Sequence, residues 1–326
     1  MTVALLFPGQ ASQEVGMGVA LREAFTAADA LFRLADEITG LPISKLCAEG
    51  PLSELTRTCV AQTAVVVTSL AAAAALSERI ERPLALTAVA GHSVGELTAM
   101  CWAGAMSPEE TLRLAHERGR LMERDSGAVK GAMVAVLGLD ADSLERVCET
   151  ASSEAGSMVQ VANLNAPGQV VLSGHKEAIA AATKLALAAG AARVIPLNVG
   201  GPFHSVYMQA AATEFGAIVA TAVISRAQVP VVLNTTAQTE QEPEALRTEL
   251  ARQISRPVFW DASLRTLYGL GCRTFIELGP GQVLTGLAKR TLKDVTLLAV
   301  GTLPALDRAA DLIAAAGPNL ADEDRT

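Results

Sequence analysis

Apolar positions change period along this chain, and each change marks an element. Val3–Phe7 is a continuous apolar run of strand length that ends in the loop signal Pro8-Gly9-Gln10. From about Gly16 to Thr111 the pattern is mostly helical, with breaks at Leu41-Pro42 and Gly50-Pro51. Within it, Ala61–Leu76 is Ala-rich, interrupted by Thr and Ser, and shorter than a bilayer span, so it predicts a buried helix. A second apolar run, Leu84–Ala90, predicts a strand that breaks at Gly91. Helix Glu96–Ala105 follows, then Pro108–Asp125 with Ser107 as its N-cap.

The rhythm then changes. Ala132–Leu137 reads as a strand, Asp140–Ser153 as a helix and Val159–Asn163 as a strand. Asn165-Ala166-Pro167-Gly168 reads as a turn, Gln169–Ser173 as a strand, Lys176–Ala189 as a helix and Arg193–Leu197 as a strand. The order β-α-β-β-α-β is that of a ferredoxin-like unit, here set between helix-rich segments as an insertion. Beyond it come a long helix through Ala222, a strand Val229–Asn234, a helix through about Ile254 and another near Pro257–Leu270. Strand Thr274–Leu278 meets the turn Gly279-Pro280-Gly281. The division expected is residues 1–129 and 198–316 as the large domain, 130–197 as the insertion, and 317–326 as a polar, frayed tail.

With 326 residues, half of them apolar and only 3% aromatic, the composition is that of a globular protein with an aliphatic core. A net charge of −8 argues against a nucleic-acid partner. The five cysteines show no paired spacing, so neither a zinc site nor a disulfide framework is expected, and a reducing compartment is. No basic region precedes the first strand, so a signal peptide is not expected; the reading is a soluble, cytoplasmic chain without a membrane span.

The candidate chemistry sits where the strand before Gly91 turns. Gly91-His92-Ser93-Val94-Gly95-Glu96 has the Gly-x-Ser-x-Gly form of a nucleophile elbow. Such a turn strains the backbone and brings elements too close for side chains at 91 and 95. It lifts Ser93 above a helix N-terminus, where free N–H groups favour developing negative charge. The plainer reading, a serine that merely caps a helix, leaves two glycines and a histidine without a purpose.

A serine nucleophile needs a base. Of four histidines, His92 adjoins Ser93 and is expected to point away, His116 lies within a helix, and His175 reads as a solvated residue of the insertion. His204, in the loop after Gly200-Gly201-Pro202, is the best candidate. No Asp or Glu stands out as a third member; a backbone carbonyl can hold the imidazole tautomer instead.

Five motifs in order, Phe7-Pro8-Gly9-Gln10-Ala11-Ser12-Gln13, Gly91 to Glu96, Glu117-Arg118-Gly119-Arg120-Leu121-Met122, Gly201-Pro202-Phe203-His204-Ser205 and Gly279-Pro280-Gly281-Gln282-Val283-Leu284, resemble one known family. It is that of the malonyl-CoA:acyl-carrier-protein transacylases of bacterial fatty acid synthesis, with the acyltransferase domains of polyketide synthases. The resemblance implies an α/β fold, an α/β-hydrolase-like large domain with an inserted ferredoxin-like (βαββαβ) subdomain. It implies Ser93 as the acylated residue, His204 as its base, and the backbone N–H groups of Gln10 and Val94 as the oxyanion hole. Arg118 matches the arginine that grips the malonyl carboxylate, and Gln253 the residue whose main-chain carbonyl orients the histidine. His92, Phe203, Asn163 and Asn165 match acyl-pocket positions, Phe203 being the bulky residue that accompanies malonyl selection. Ala11 departs from the family's usual second glycine, which matters only if that position takes a positive φ.

The implied reaction is ping-pong transfer of malonyl from malonyl-CoA to the phosphopantetheine thiol of an acidic acyl carrier protein, with no metal or other cofactor. Alternatives are an acyltransferase serving a polyketide synthase or another malonyl carrier system and, from another class, a serine esterase or thioesterase. A docking module would not need Ser93 and His204 together. Read alone, Arg118 between Glu117 and Arg120 equally fits a solvated ion pair. Lys289 and Arg290 fit either carrier docking or cations at a helix C-terminus.

Overall fold

In the computed structural model, which describes residues 2–80 and 86–315, the apolar runs pair side by side. β1 (Thr2–Phe7) lies between β2 (Leu86–Gly91) and β9 (Cys272–Leu278), parallel to both. A separate antiparallel sheet is formed by β3 (Gly131–Leu137), β4 (Val159–Ala166), β5 (Gln169–His175) and β6 (Arg193–Pro196), in the order β4-β5-β3-β6. With β7 (Val231–Val232), β8 (Thr239–Glu240) and β10 (Thr296–Val300) the first sheet reads β10-β9-β1-β2-β7-β8, parallel except for β8.

Both faces of the parallel sheet are covered, which is why β1 and β2 at its centre are mostly apolar rather than alternating. Leu5 and Phe7 join the larger core beneath helices Thr58–Arg79 and Pro108–Ala128, while Ala4 and Leu6 meet Trp260, Leu264 and Leu284 on the other side. In the antiparallel sheet alternation does sort the faces. Val134, Val136, Val170 and Leu172 pack under helices Ala141–Ala155 and Lys176–Ala188, whereas Met133, Ala135 and Val171 turn toward the main core.

Several predicted bounds shift, each for a local reason. The strand expected at 84–90 is described from Leu86 to Gly91, and residues 84 and 85 lie outside the described residues, as does the expected tail 317–326. The core helix, Thr58–Arg79, is longer than its apolar stretch: at its start Thr58, Gln62 and Thr63 are themselves buried, and at its end it runs out through exposed Ser77 to Arg79. At 22 residues it is the one helix among the described residues long and apolar enough to cross a membrane, yet 94% of its most apolar stretch is buried inside the fold. The helix after the elbow, Gly95–Trp102, stops before Gly104 at φ +78°. The strand expected at 229–234 shrinks to β7, since Asn234 leaves the ladder to bond with the elbow. The helix near 257 starts only at Trp260, because Val258 pairs with β4: its N–H donates to Ala162 O (2.9 Å) and its carbonyl accepts from Leu164 N–H (2.9 Å). After His204 a short 3-10 turn, Val206–Met208, precedes helix Gln209–Ala220.

Candidate active site

Backbone crowding builds the elbow. A Cβ on Gly91 would stand 1.9 Å from Gly95 O, and one on Gly95 2.2 Å from Phe7 O, so neither position accepts a side chain. The His92 N–H donates to Phe7 O (2.9 Å), tying the turn to the end of β1. Ser93 is forced to φ +53°, a left-handed conformation that a non-glycine residue holds only when its surroundings fix it. They do: the Ser93 N–H donates to Asn234 Oδ1 (2.7 Å), and Asn234 Nδ2 donates to Gly91 O (2.7 Å).

The Ser93 hydroxyl lies 2.7 Å from His204 Nε2. His204 is 3% exposed and sits at φ +54°, with its N–H donating to Ile254 O (3.1 Å). Its Nδ1 faces two carbonyls, Gln253 O at 3.0 Å and Arg256 O at 3.1 Å. Carbonyls only accept, so Nδ1 carries the proton and Nε2 is left as a lone pair toward Ser93. Burial, then the charges of Arg118 and His92, push the imidazole down to about 3. It is therefore neutral and basic in form at ordinary pH. The cysteines offer no competing thiolate: burial pushes Cys47 and Cys148 up to about 12, and Cys59, Cys101 and Cys272 to about 11.

Arg118 resolves against the solvated reading. Arg120 and Glu117 pair with each other (2.7 Å) on the outer face of the helix, while Arg118, in register with Leu114, Leu121 and Met122, turns inward and is 1% exposed. Its Nη1 donates to Gln62 Oε1 (2.7 Å), and its Nη2 to Gln253 Oε1 (2.8 Å) and Ser93 Oγ (3.1 Å). Burial lowers the guanidinium to about 10, still protonated at neutral pH, with Glu96 opposing the shift.

A cavity of about 230 Å³ opens over Ser93 and His204, walled by Gln10, His92, Asn163, Asn165 and Phe203. His92 does point away from the hydroxyl: its Nε2 lies 2.9 Å from Asn165 Oδ1 and its ring meets Trp260 edge-on. The loss of solvent around that ring lowers its pKa, and Asn165 opposes this. The backbone N–H groups of Gln10 and Val94 have no acceptor among the described residues. Ala11, where the family has a glycine, does adopt a positive φ of +79°, and its N–H donates to Gln13 Oε1 (2.8 Å). Lys289 and Arg290 fall in the last turn of helix Val283–Thr291, and Arg290 Nη1 reaches Gln169 Oε1 (2.5 Å) at the cavity edge.

Gln62, Asn234 and Glu96 hold this site and carry no role in the sequence reading. A glutamine in an apolar helix is the available signal for Gln62, and Glu96 closes the elbow motif without a role of its own; Asn234 has none that spacing alone would raise.

The acyl transferase domain family matches residues 4–316. The malonyl CoA-acyl carrier protein transacylase of Bacillus subtilis (strain 168) is 41% identical over 298 residues, 91% of this chain and 93% of that protein. That of Escherichia coli (strain K12) is 36% identical over 309 residues, 95% of this chain and 99% of that protein. Among solved structures, the acyl-carrier-protein S-malonyltransferase of Bartonella henselae superposes with a TM-score of 0.92 at 36% identity, covering 96% of this chain and 100% of that one. A malonyl-transacylase solved in complex with its type II polyketide synthase acyl carrier protein gives 0.91 at 35% identity, covering 96% and 100%. With a buried Ser–His pair at the elbow and these likenesses over almost its whole length, the chain belongs to the acyltransferase family of the malonyl-CoA:acyl carrier protein transacylases.

Proposed function

We propose that this chain transfers a malonyl group from malonyl-CoA to the phosphopantetheine thiol of an acyl carrier protein, in two half-reactions through malonyl-Ser93. The observation that carries the reading is the meeting of Ser93 Oγ with both His204 Nε2 (2.7 Å) and Arg118 Nη2 (3.1 Å). In the first half-reaction His204 Nε2 takes the Ser93 proton as the oxygen attacks the thioester carbonyl. The free N–H groups of Gln10 and Val94 receive the oxyanion. The C–S bond breaks, CoA leaves with the proton from His204, and malonyl-Ser93 remains. In the second, the carrier thiol passes its proton to His204, its sulfur attacks the ester, and Ser93 recovers a proton as it leaves. Every step moves an acyl group or a proton, so the chemistry calls for no metal or redox cofactor.

Arg118 binds the malonyl carboxylate, a pairing suited to a planar guanidinium. Gln253 orients His204 through its carbonyl, in place of an acidic third member. His92, Phe203, Asn163 and Asn165 shape the acyl pocket. The large unit, residues 1–129 and 198–316, is α/β-hydrolase-like in its strand–serine–helix turn. The small unit, 130–197, is ferredoxin-like in its βαββαβ order and in the strand order β4-β5-β3-β6, which support that description. A reducing cytoplasm, in which the five free cysteines stay thiols, fits this chemistry. The type II polyketide synthase complex among the similar structures favours a second reading of the carrier alone, in which the acceptor belongs to a polyketide system.

Incubation with malonyl-CoA without carrier is expected to place one malonyl group on the Ser93 peptide, seen by intact mass and mapping, and Ser93→Ala to abolish it. Adding carrier, of fatty-acid or polyketide type, restores turnover and names the acceptor. Steady release of CoA without carrier would make the protein a thioesterase instead.

A further inference from the structure

Behind the nucleophile lies a carboxyl that the mechanism above does not use. Glu96, in the first turn of helix Gly95–Trp102, is fully buried. Its Oε1 accepts from Asn234 N–H (2.7 Å) and Asn234 Nδ2 (3.0 Å), and its Oε2 from Gln253 Nε2 (2.6 Å). All three partners donate, which fits a carboxylate. The Gln253 amide has its other contacts at the active site: Nε2 also donates to Ser93 O (2.9 Å), and Oε1 accepts from Arg118 Nη2 (2.8 Å).

A primary amide has one donor end and one acceptor end, and its partners decide which way it faces. Arg118 has only donors to offer, and an ionised Glu96 only acceptors. Between them Gln253 can take one orientation, nitrogen to Glu96 and oxygen to Arg118. Burial, then the nearby Glu249, raise the Glu96 carboxyl well above the ordinary range, and Asn234, Gln253 and the Arg118 charge oppose them; it is the three donors aimed at its two oxygens that assign the carboxylate form.

Arg118 itself is hydrogen-bonded, among the described residues, to the neutral groups Gln62, Ser93 and Gln253. The carboxylate that offsets its charge stands one amide away. A carboxylate bonded directly to the guanidinium would compete with that of a substrate, whereas a neutral amide oxygen yields its place more easily.

We propose that Glu96 is a positioning residue for substrate selection: as a carboxylate it sets the direction of the Gln253 amide and offsets the Arg118 charge from one amide away, leaving the guanidinium oriented and open to an incoming acyl carboxylate. This rests on the reading of Arg118 as the group that binds malonyl.

The test compares kcat/KM for malonyl-CoA and acetyl-CoA, with carrier protein as acceptor, in Glu96→Gln, Gln253→Leu, their double variant and Arg118→Ala. Glu96→Gln keeps the size but brings an NH2 end. With its oxygen on the Asn234 donors, that NH2 meets Gln253 Nε2, so Gln253 must turn and face Arg118 with its own NH2. The malonyl-to-acetyl ratio should fall about 10- to 100-fold, the range for losing a hydrogen bond to a charged group. Acetyl transfer should stay within a few-fold, since Ser93 and His204 remain in place. Gln253→Leu keeps the carbonyl under His204 and should lower the ratio similarly. In that background Glu96→Gln should lower it no further, because the amide it acts through is gone. An equal fall for both substrates in Glu96→Gln, a raised or unchanged ratio, or a full second loss in the double variant overturns the proposal. If Glu96→Gln does not fold, an unchanged ratio in Gln253→Leu overturns it alone. Arg118→Ala separates the two readings. A collapsed ratio there, with both other single variants unaffected, removes only the role of Glu96; an unchanged ratio there removes the carboxylate reading of Arg118 and this proposal with it.

Discussion

Single residues here owe their chemistry to what is withheld from them. His204 lacks solvent and, among the described residues, a carboxylate partner, and it faces two carbonyls and the charge of a buried arginine. A histidine at its usual value would lose its base form near pH 6.5; one pushed down to about 3 keeps it through the mildly acid range. The rate constant for loading Ser93 should therefore stay flat from about pH 7.5 to about pH 5, and a limb near 6.5 that moves with substitutions around His204 would show that its neighbours do not hold it down. Stability runs the other way. Below about pH 6.5 the unfolded chain binds a proton at this histidine and the folded chain does not, so folding stability is present above that pH and is lost as pH falls toward the folded value. His92 and His116 are also lowered, chiefly by burial, and add to the same slope. Urea unfolding of His204→Gln should show a shallower decline over that range, and an unchanged decline would remove His204 from it. Ser93 and His204 were legible in the sequence because elbow chemistry demands glycines at fixed offsets and because only four histidines compete. Glu96, Asn234 and Gln62 were not, because what makes them matter is burial beside a charge, which one chain of letters does not display.

The elements that carry the site are held closer than ordinary helix packing allows. Helices Thr58–Arg79 and Pro108–Ala128 bring Gln62 and Arg118 within 2.7 Å of each other, and between them lies Gly119. A Cβ at 119 would stand 2.9 Å from both Cys59 Cα and Thr58 O, which are backbone atoms with nowhere to go. On helix propensity alone, Gly119→Ala should stabilise by about 1 kcal/mol. Crowding of this kind typically costs about 1–3 kcal/mol, so the variant should instead lose stability in urea unfolding. It should also lose malonyl transfer disproportionately, since the shift falls on the helix that presents Arg118. A stabilised and fully active Gly119→Ala would mean that the two helices have slack. Both helices were readable from their apolar patterns and from Ser107, whose Oγ does accept from Glu110 N–H (3.2 Å). Their separation was not readable, because a glycine inside a helical pattern looks the same whether it faces solvent or another backbone. The two-residue strand β8 also escaped, being ordered by pairing with β7 rather than by any periodicity of its own, and β10 and helix Leu303–Ala315 were passed over although Leu303, Leu306, Ala310 and Ile313 recur at helical spacing.

At the scale of the whole molecule, the antiparallel sheet is a wall of the cavity, with Met133, Ala135 and Val171 facing it. Its strand order, β4-β5-β3-β6, places β5 and β3 centrally, and Val258, just before helix Trp260–Gly269, and Arg290, in helix Val283–Thr291, tie β4 and Gln169 to the rest of the molecule. The β-α-β-β-α-β order of this stretch and its separate antiparallel sheet were legible, since that rhythm between helical stretches has few other readings. What could not be read is where its two connections meet. The outgoing one enters β3 at Gly131, and the returning one passes through Pro202 directly before Phe203 and His204. The two cross in contact: a Cβ on Gly131 would lie 2.2 Å from Pro202 Cδ and 2.4 Å from its Cγ. A proline ring cannot swing aside as a long side chain can, so the extra methyl must displace the backbone of the returning connection. That backbone is already fixed, through Ser205 Oγ to Pro202 O (2.5 Å) and the His204 N–H to Ile254 O (3.1 Å), and it ends at His204, the proposed base. Gly131→Ala should therefore move His204 although residue 131 takes no part in the reaction. A misplacement of about 1 Å is enough to cost on the order of 100-fold in rate, so kcat should drop by about 10- to 100-fold. The loss should appear equally with malonyl-CoA and acetyl-CoA, because it acts on the base and leaves carboxylate binding alone. Gly127→Ala is the matched control, a glycine with nothing near its missing Cβ, and should retain activity. If Gly131→Ala matched Gly127→Ala in kcat while remaining folded, the crossing of the two connections would have no hold on the position of His204.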